Sequence, residues 1–146
     1  MRTGTNCFII LFDLDRFKNT NDTYGHQAGD QVLKETARRV KSVIRPYDIF
    51  ARYGGEEFTI FMTATDEITK ENIVSAVERC RIAICETPVI YNNLQIPVSA
   101  SFGISYAAPR YEMEIAATQA DIALYQAKNE GRNRVVFYND DDSDNQ

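Results

Sequence analysis

Two pairs of carboxylates stand at places in the sequence where they could hold a metal ion. Asp13 and Asp15 follow the apolar run Phe8–Phe12, which predicts a strand buried on both faces. Carboxylates at the carboxyl end of such a strand lie where α/β proteins place ligands, and oxygen ligands there suit Mg²⁺. The alternative is that the two aspartates only end the strand and cap the next element.

The second pair is Glu56 and Glu57, directly after the glycines Gly54 and Gly55. The glycines allow a tight turn and the close approach of a ligand. Adjacent carboxylates repel each other unless a cation lies beside them, so the pair favours a cation site. The alternative is an exposed acidic turn.

Polar side chains between these two pairs could bind a nucleotide. Lys18 is a natural partner for phosphate, and Asn21 offers both a donor and an acceptor to a purine edge. Asp30 could accept hydrogen bonds from the ring N–H and the amine of guanine, a pair that adenine does not offer. The alternatives are a plain turn at Asn21 and a buried structural role for His26, the single histidine.

Two more cations, Lys128 and Arg132, follow the last predicted helix. The helix dipole favours cations at that end in any protein. Phosphate binding and simple helix capping therefore explain them equally well.

The composition limits the classes of function. The 146 residues fit one domain, and the net charge of -5 argues against a general nucleic-acid binder. No apolar run reaches the length of a membrane span. Three cysteines without a C-x-x-C motif indicate a reduced, cytoplasmic protein. Residues 140–146 are acidic and predict a disordered tail.

The hydrophobic patterns predict the elements that must position these side chains. They give the order β-α-β-β-α-β-β-α-β, and a split of the first helical region in two stays open. This order favours an α+β fold, a ferredoxin-like or palm-type α/β sandwich with a mostly antiparallel central sheet flanked by helices. Strands are predicted over residues 8–12, 49–53, 58–62, 89–94 (with a turn at Asn92–Asn93), 98–106 and 135–138. Helices are predicted over 31–44, 73–85 (with Thr69 as its N-cap) and 115–127.

Taken together, several blocks of the sequence resemble the GGDEF family, from about Cys7 to Tyr138. Several independent blocks in one order make the resemblance specific. The signature loop has Glu56 where the family more often has Asp. The blocks are Asp13-Leu-Asp-Arg-Phe-Lys18, Asn21-Asp-Thr-Tyr-Gly-His26, Gly29-Asp30, Arg52-Tyr-Gly-Gly-Glu-Glu-Phe58, Val98-Ser-Ala-Ser-Phe-Gly-Ile104, Ala120-Asp-Ile-Ala-Leu-Tyr-Gln-Ala-Lys128 and Gly131-Arg-Asn133.

The resemblance implies a diguanylate cyclase, which joins two GTP into cyclic di-GMP and releases two pyrophosphates with the help of Mg²⁺ or Mn²⁺. It implies that Asp13 and Glu56 bind the metal by their side chains, Leu14 by its carbonyl, and that Glu57 supports them. Glu56 would also be the base for the ribose 3′-hydroxyl. The implied substrate-binding residues are Phe17 (by its backbone), Lys18, Lys128 and Arg132 for the triphosphate, Asn21 and Asp30 for guanine, and His26 in the same pocket.

Arg45 and Asp48 resemble the R-x-x-D site at which the family binds cyclic di-GMP as an inhibitor. Arg45 can hold a phosphate or stack on guanine, Asp48 can pair with a guanine edge, and Arg79 or Arg81 could complete the site. The alternative is that Arg45 and Asp48 cap a helix end beside Pro46.

The resemblance also implies partners. The reaction needs a second copy of the domain, and an upstream sensor or receiver domain is expected. The domain is placed at residues 1–139, without the D-x-L-T-x-L-x-N-R segment that usually precedes the first strand. The alternatives are a catalytically silent sensor of GTP or cyclic di-GMP, another palm-like cyclase or polymerase, and a purely structural ferredoxin-like domain.

Overall fold

The computed structural model describes residues 7–52, 54–63, 68–107 and 113–139, so the predicted acidic tail lies outside the described residues. No helix in these ranges is long and apolar enough to span a membrane. The elements are β1 (Cys7–Leu14), α1 (Phe17–Tyr24), α2 (His26–Lys41), β2 (Ile49–Arg52), β3 (Glu57–Thr63), α3 (Lys70–Cys85), β4 (Val89–Tyr91), β5 (Leu94–Ile96), β6 (Ala100–Ala107), α4 (Met113–Asn129) and β7 (Val135–Phe137).

The main sheet has five strands in the order β2-β3-β1-β6-β7. Strand β1 lies at its centre and pairs antiparallel with β3 and β6, while β2 pairs antiparallel with β3. Only the β6–β7 pair in the described chain is parallel. The prediction of an α+β sandwich with a mostly antiparallel sheet is confirmed.

Helices cover both faces of this sheet. On one face, Ile10 and Phe12 of β1 share a buried core with Val32 of α2 and Val77 of α3. The other face carries α4, whose Ala120 packs with Ile9 of β1. Gly103 in β6 makes this packing possible, because a Cβ there would overlap the backbone of Ala120 and Leu124.

The first helical region is split in two, and residues 17–24 and 26–30 are helical although the predicted helix begins only at residue 31. Gly25, with φ of 97°, separates α1 from α2. In α1 only Phe17 is buried, so the helix has no apolar stripe that a sequence pattern could reveal. The prediction that the helix begins at residue 31 is therefore wrong, and α2 begins at His26.

The segment 89–94, predicted as a strand with a turn at Asn92–Asn93, is part of a separate hairpin, and the turn lies where it was predicted. Asn92 and Asn93 take left-handed conformations, with φ of 48° and 68°, and divide β4 from β5. Asparagine tolerates that region better than most residues. The hairpin is tied to α2, since the Tyr91 hydroxyl donates to Gln27 Oε1 at 3.1 Å.

Cys80 is buried in the core, while Cys7 and Cys85 are partly exposed. All three are free thiols, and burial raises the pKa of Cys80 to about 12. A thiol with such a pKa stays protonated and unreactive at neutral pH.

Candidate functional site

The register of the sheet brings the two carboxylate pairs together. Asp13, near the end of β1, lies opposite Glu57 at the start of β3. The backbone N–H of Leu14 donates to the carbonyl of Glu56 at 3.4 Å. The acidic turn that links β2 to β3 therefore lies beside the carboxyl end of the central strand.

The Asp13 carboxylate is buried but incompletely satisfied. Its Oδ2 accepts a hydrogen bond from Lys128 Nζ at 2.6 Å, and its Oδ1 has no partner in the described part of the chain. Burial raises the pKa of Asp13, Lys128 opposes that change, and the charges of Glu56 and Glu57 raise the pKa further. A buried carboxylate oxygen that lacks a partner, with like charges nearby, is a place where a cation would be stabilised.

The donors at this strand end fit Mg²⁺ better than a softer metal. Within the described ranges, no three histidine, cysteine or acidic side chains converge as a metal cage. Magnesium does not require one, because it keeps several waters and takes one or two carboxylates together with substrate phosphates. Asp13 with its orphaned Oδ1, the adjacent carbonyl of Leu14 and one glutamate of the turn suit that chemistry.

Lys128 contacts the acidic end of β1, and two further cations lie on α1 and on the turn after α4. Lys128 lies in the last turn of α4 and pairs with Asp13, while Arg132 lies in the turn that follows. Lys18 is on α1, where its side chain is 88% exposed and pairs with Asp22 at 3.1 Å. Phe17, the first residue of α1, is buried and anchors that helix to the core.

The residues predicted to read guanine lie on α1 and α2. Asn21 packs against Gly29, where a Cβ would overlap Asn21 Oδ1. Asp30 and His26 are both exposed on α2, so the alternative of a buried structural histidine does not hold. The split of the helical region at Gly25 thus lets two helices present polar side chains side by side.

Arg45 and Asp48 form a closed ion pair. Asp48 accepts the backbone N–H of Arg45 at 2.8 Å, and Arg45 Nη2 donates to Asp48 Oδ1 at 2.8 Å. The Asp48 side chain is only 1% exposed, and the Arg45 guanidinium lies over the Tyr47 ring. This geometry makes Asp48 a partner that orients Arg45, and contact between Asp48 and guanine stays a prediction.

Of the two arginines considered for this second site, Arg79 lies near the Arg45–Asp48 pair. It lines a pocket of about 160 Å³ together with Arg45 and Asp48. Arg81 is engaged elsewhere, donating to Glu78 at 2.6 Å and to Asn133 Oδ1 at 3.0 Å.

One residue of the site has more contacts than its sequence position indicated. Asp15 accepts hydrogen bonds from Ser99, Ser101 and the backbone of Asn133. The signal in the sequence was its place in Asp13-Leu14-Asp15, but its partners lie more than 80 residues away in the chain. They could not be identified without the strand order.

Comparison with known proteins gives a consistent result. The family model described as "Diguanylate cyclase, GGDEF domain" matches residues 1–134. Diguanylate cyclase A of Treponema denticola is 42% identical over 88% of this chain and 34% of that protein. Diguanylate cyclase DgcZ of Escherichia coli is 36% identical over 90% of this chain and 44% of that protein. The chain thus spans less than half the length of these curated relatives.

Solved structures agree with the observed fold. The GGDEF domain of DgcB from Caulobacter crescentus, in complex with c-di-GMP, superposes with a TM-score of 0.84 at 31% identity, covering 92% of this chain and 78% of that one. The active GGEEF domain of a diguanylate cyclase from Vibrio cholerae gives a TM-score of 0.80 at 32% identity, covering 92% and 83%. The second carries the same signature variant as Gly54–Phe58 here.

Proposed function

Since this chain belongs to the GGDEF family of diguanylate cyclases, we propose that it is a catalytic domain that condenses two GTP into cyclic di-GMP and two pyrophosphates. The observation that carries the proposal is that the sheet brings the two predicted carboxylate pairs together. Asp13, with its orphaned buried oxygen, lies opposite the turn that bears Glu56 and Glu57. Acidic groups so close together favour a bound cation, which this reaction needs.

Each group of residues has a separate task in this reaction. A bound Mg²⁺ or Mn²⁺ would be held by Asp13, the Leu14 carbonyl and Glu56, with support from Glu57, and would neutralise phosphate charge and acidify the attacking hydroxyl. Lys18, Lys128 and Arg132, with the backbone of Phe17, hold the triphosphate. Asn21 and Asp30 select guanine, and His26 lies beside them on α2.

The chemical step forms one P–O bond and breaks another. The 3′-oxygen of one GTP attacks the α-phosphorus of the other, its proton passes to the Glu56 carboxylate, and pyrophosphate leaves in line. The same step in the opposite direction closes the ring. Each domain holds one GTP, so two copies must face each other across a two-fold axis.

The test is incubation of the protein with GTP and Mg²⁺ at high concentration, followed by chromatography of the nucleotides. We expect cyclic di-GMP and pyrophosphate from the unmodified chain. Glu56→Gln should keep the fold and lose at least 100-fold in rate, an order of magnitude typical for a catalytic acid or base. Glu86→Gln, at an exposed glutamate beyond the end of α3, is the matched control and should remain active.

Two results would contradict this assignment. Full activity of Glu56→Gln would remove Glu56 from the chemistry. Tight binding of GTP without any product, at every protein concentration tried, would indicate a sensor domain and not an enzyme.

We also propose that cyclic di-GMP inhibits the enzyme by binding at Arg45 and Arg79. Both side chains line the same pocket, and Asp48 holds the Arg45 guanidinium in place. Arginine suits this role because it binds phosphate in a bidentate manner and stacks on a purine.

Arg45→Ala should therefore relieve inhibition by added cyclic di-GMP and leave the uninhibited rate unchanged. Arg38→Ala, which removes an exposed arginine of α2, is the control and should stay inhibitable. Equal inhibition of all three proteins would count against this site.

A further inference from the structure

The side chain of Asp15 joins three separate parts of the site. Its Oδ2 accepts from Ser99 Oγ at 2.6 Å and from the backbone N–H of Asn133 at 3.0 Å. Its Oδ1 accepts from Ser101 Oγ at 2.6 Å. One carboxylate therefore ties the end of β1 to the start of β6 and to the turn after α4.

The turn after α4 is strained and depends on its anchors. Gly131, Arg132 and Asn133 have φ of 126°, 64° and 46°, so three successive residues are left-handed. Only glycine adopts that region without cost, and a run of this kind persists when its surroundings hold it in place. The anchors include the Arg132 N–H, which donates to the Ala127 carbonyl at 3.0 Å, and the Asn133 N–H on Asp15.

This turn carries Arg132 and follows directly on Lys128. Lys128 contacts Asp13 and Asn133 contacts Asp15, so the ends of α4 and β1 are joined by two charged hydrogen bonds. Hydrogen bonds to an ionised carboxylate are stronger than neutral ones, and here they hold a cation-bearing turn beside the acidic strand end.

We propose that Asp15 is a positioning residue that holds Arg132 in the conformation that binds the triphosphate. The inference rests on the proposed function, which assigns phosphate to Arg132. Asp15 itself touches neither the nucleotide nor the metal in this scheme. Its carboxylate accepts the backbone N–H of Asn133. This hydrogen bond fixes the backbone direction of Arg132, the preceding residue.

The experiment is a double-mutant cycle on nucleotide affinity, measured by calorimetry with a GTP analogue whose α,β-bridge cannot be cleaved, in the presence of Mg²⁺. Asp15→Asn should weaken binding roughly tenfold, the order expected for loss of a charge-assisted hydrogen bond. Arg132→Ala should weaken it by a similar factor. The double variant should bind as Arg132→Ala does, because Asp15 has no effect once Arg132 is absent.

A second route uses Ser101→Ala, which removes one anchor of Asp15 and keeps its charge. It should give a smaller loss of affinity that also disappears in the Arg132→Ala background. If Asp15→Asn fails to fold, this cycle alone decides the question. If Asp15 acted on the metal or on general stability, its substitution would still weaken nucleotide binding in the Arg132→Ala background. Losses of affinity that multiply in the double variant would therefore overturn the inference.

Further results distinguish a failure of this inference from a failure of the proposed function. If the folded wild-type chain does not bind the analogue, the cyclase proposal fails and the inference fails with it. If Arg132→Ala or Asp15→Asn binds as tightly as wild type while the chain still makes cyclic di-GMP, only the inference fails.

Discussion

Asp13 and Lys128 form an ion pair that joins the end of β1 to the end of α4. The Asp13 side chain is 7% exposed, and a charge so placed is costly unless it is paired. Lys128 supplies the pairing at 2.6 Å and leaves Oδ1 open. A cation that bound at Oδ1 would compete electrostatically with the lysine and favour its contact with phosphate.

Gly29→Ala is the residue-scale prediction. The new Cβ would overlap Asn21 Oδ1, which lies at the end of a flexible side chain and can move, and it would lie 3.2 Å from Cζ of the buried Phe17, whose ring must shift slightly. The gain in helix propensity, about 1 kcal/mol, offsets the strain, so stability should hardly change. If Asn21 reads guanine, GTP affinity should fall roughly three- to tenfold, the value of one hydrogen bond.

Calorimetry with GTP and with ATP checks this prediction. Asn21→Ala is the matched control, and adding Gly29→Ala to it should cost no further affinity. A Gly29→Ala protein that binds GTP as tightly as wild type would exclude the displaced Asn21 as a guanine contact.

At this scale the sequence indicated which acids come together at the end of β1, but not the partners that hold them. Asp13, Glu56 and Glu57 could be identified because they are neighbours in sequence motifs. The bonds of Asp15 to Ser99 and Asn133 could not, because they depend on which strands are adjacent. The ion pair between Asp48 and Arg45 was likewise not predicted, and a guanine contact for Asp48 stays a prediction.

At the scale of elements, α2 and the end of α3 are joined by one arginine. Arg39 of α2 donates to the carbonyls of Ile84 and Thr87 at 2.8 and 2.7 Å, and to that of Pro88 at 3.1 Å. These carbonyls lie at and beyond the end of α3, where helices leave acceptors unsatisfied. Glu35 holds Arg39 in place by a bond of 2.9 Å to its Nε.

The element-scale prediction concerns Glu35 and pH. Hydrogen bonds from Arg38, and then from Arg39, lower the pKa of Glu35 from 4.5 to about 2, against the opposing effect of burial. A lowered pKa in the folded state stabilises the fold above pH 4.5, and this contribution is lost as the pH falls towards about 2. Glu35→Gln should thus destabilise the protein at neutral pH, by an amount that shrinks below pH 4.5.

Urea unfolding of both proteins between pH 7 and pH 3 provides the measurement. Glu86→Gln changes an exposed glutamate and is the control. Its difference from wild type in the free energy of unfolding should not shrink as the pH falls. A deficit for Glu35→Gln that stays constant over this range would mean that its ion pairs contribute no stability.

Elements with an apolar stripe were predicted well, and those without one were missed. The helix after Thr69 was expected from its cap, and Thr69 Oγ1 indeed accepts the Asn72 N–H at 3.2 Å. Helix α1 buries only Phe17 and so gave no pattern. The parallel β7 and the place of β1 at the centre follow from packing and could not be read from periodicity.

At the scale of the molecule, the proposed reaction needs two copies. Activity per molecule should therefore rise with protein concentration, and in the dilute range it should double when the concentration doubles. Fusion to a parallel two-stranded coiled coil should remove this dependence. Rates measured over a 100-fold range of concentration, with the Glu56→Gln fusion as the inactive control, would test it; a constant specific activity would contradict the two-copy mechanism.

The contacts that close the site have a further consequence during synthesis of the chain. The bond from Asn133 to Asp15 spans 118 residues, and that from Lys128 to Asp13 spans 115. At translation rates of about 5 to 20 residues per second, roughly 6 to 24 s separate the two partners of the Asp15 bond. The central strand therefore leaves the ribosome long before the turn that completes its end, so both contacts form only after the last helix has emerged.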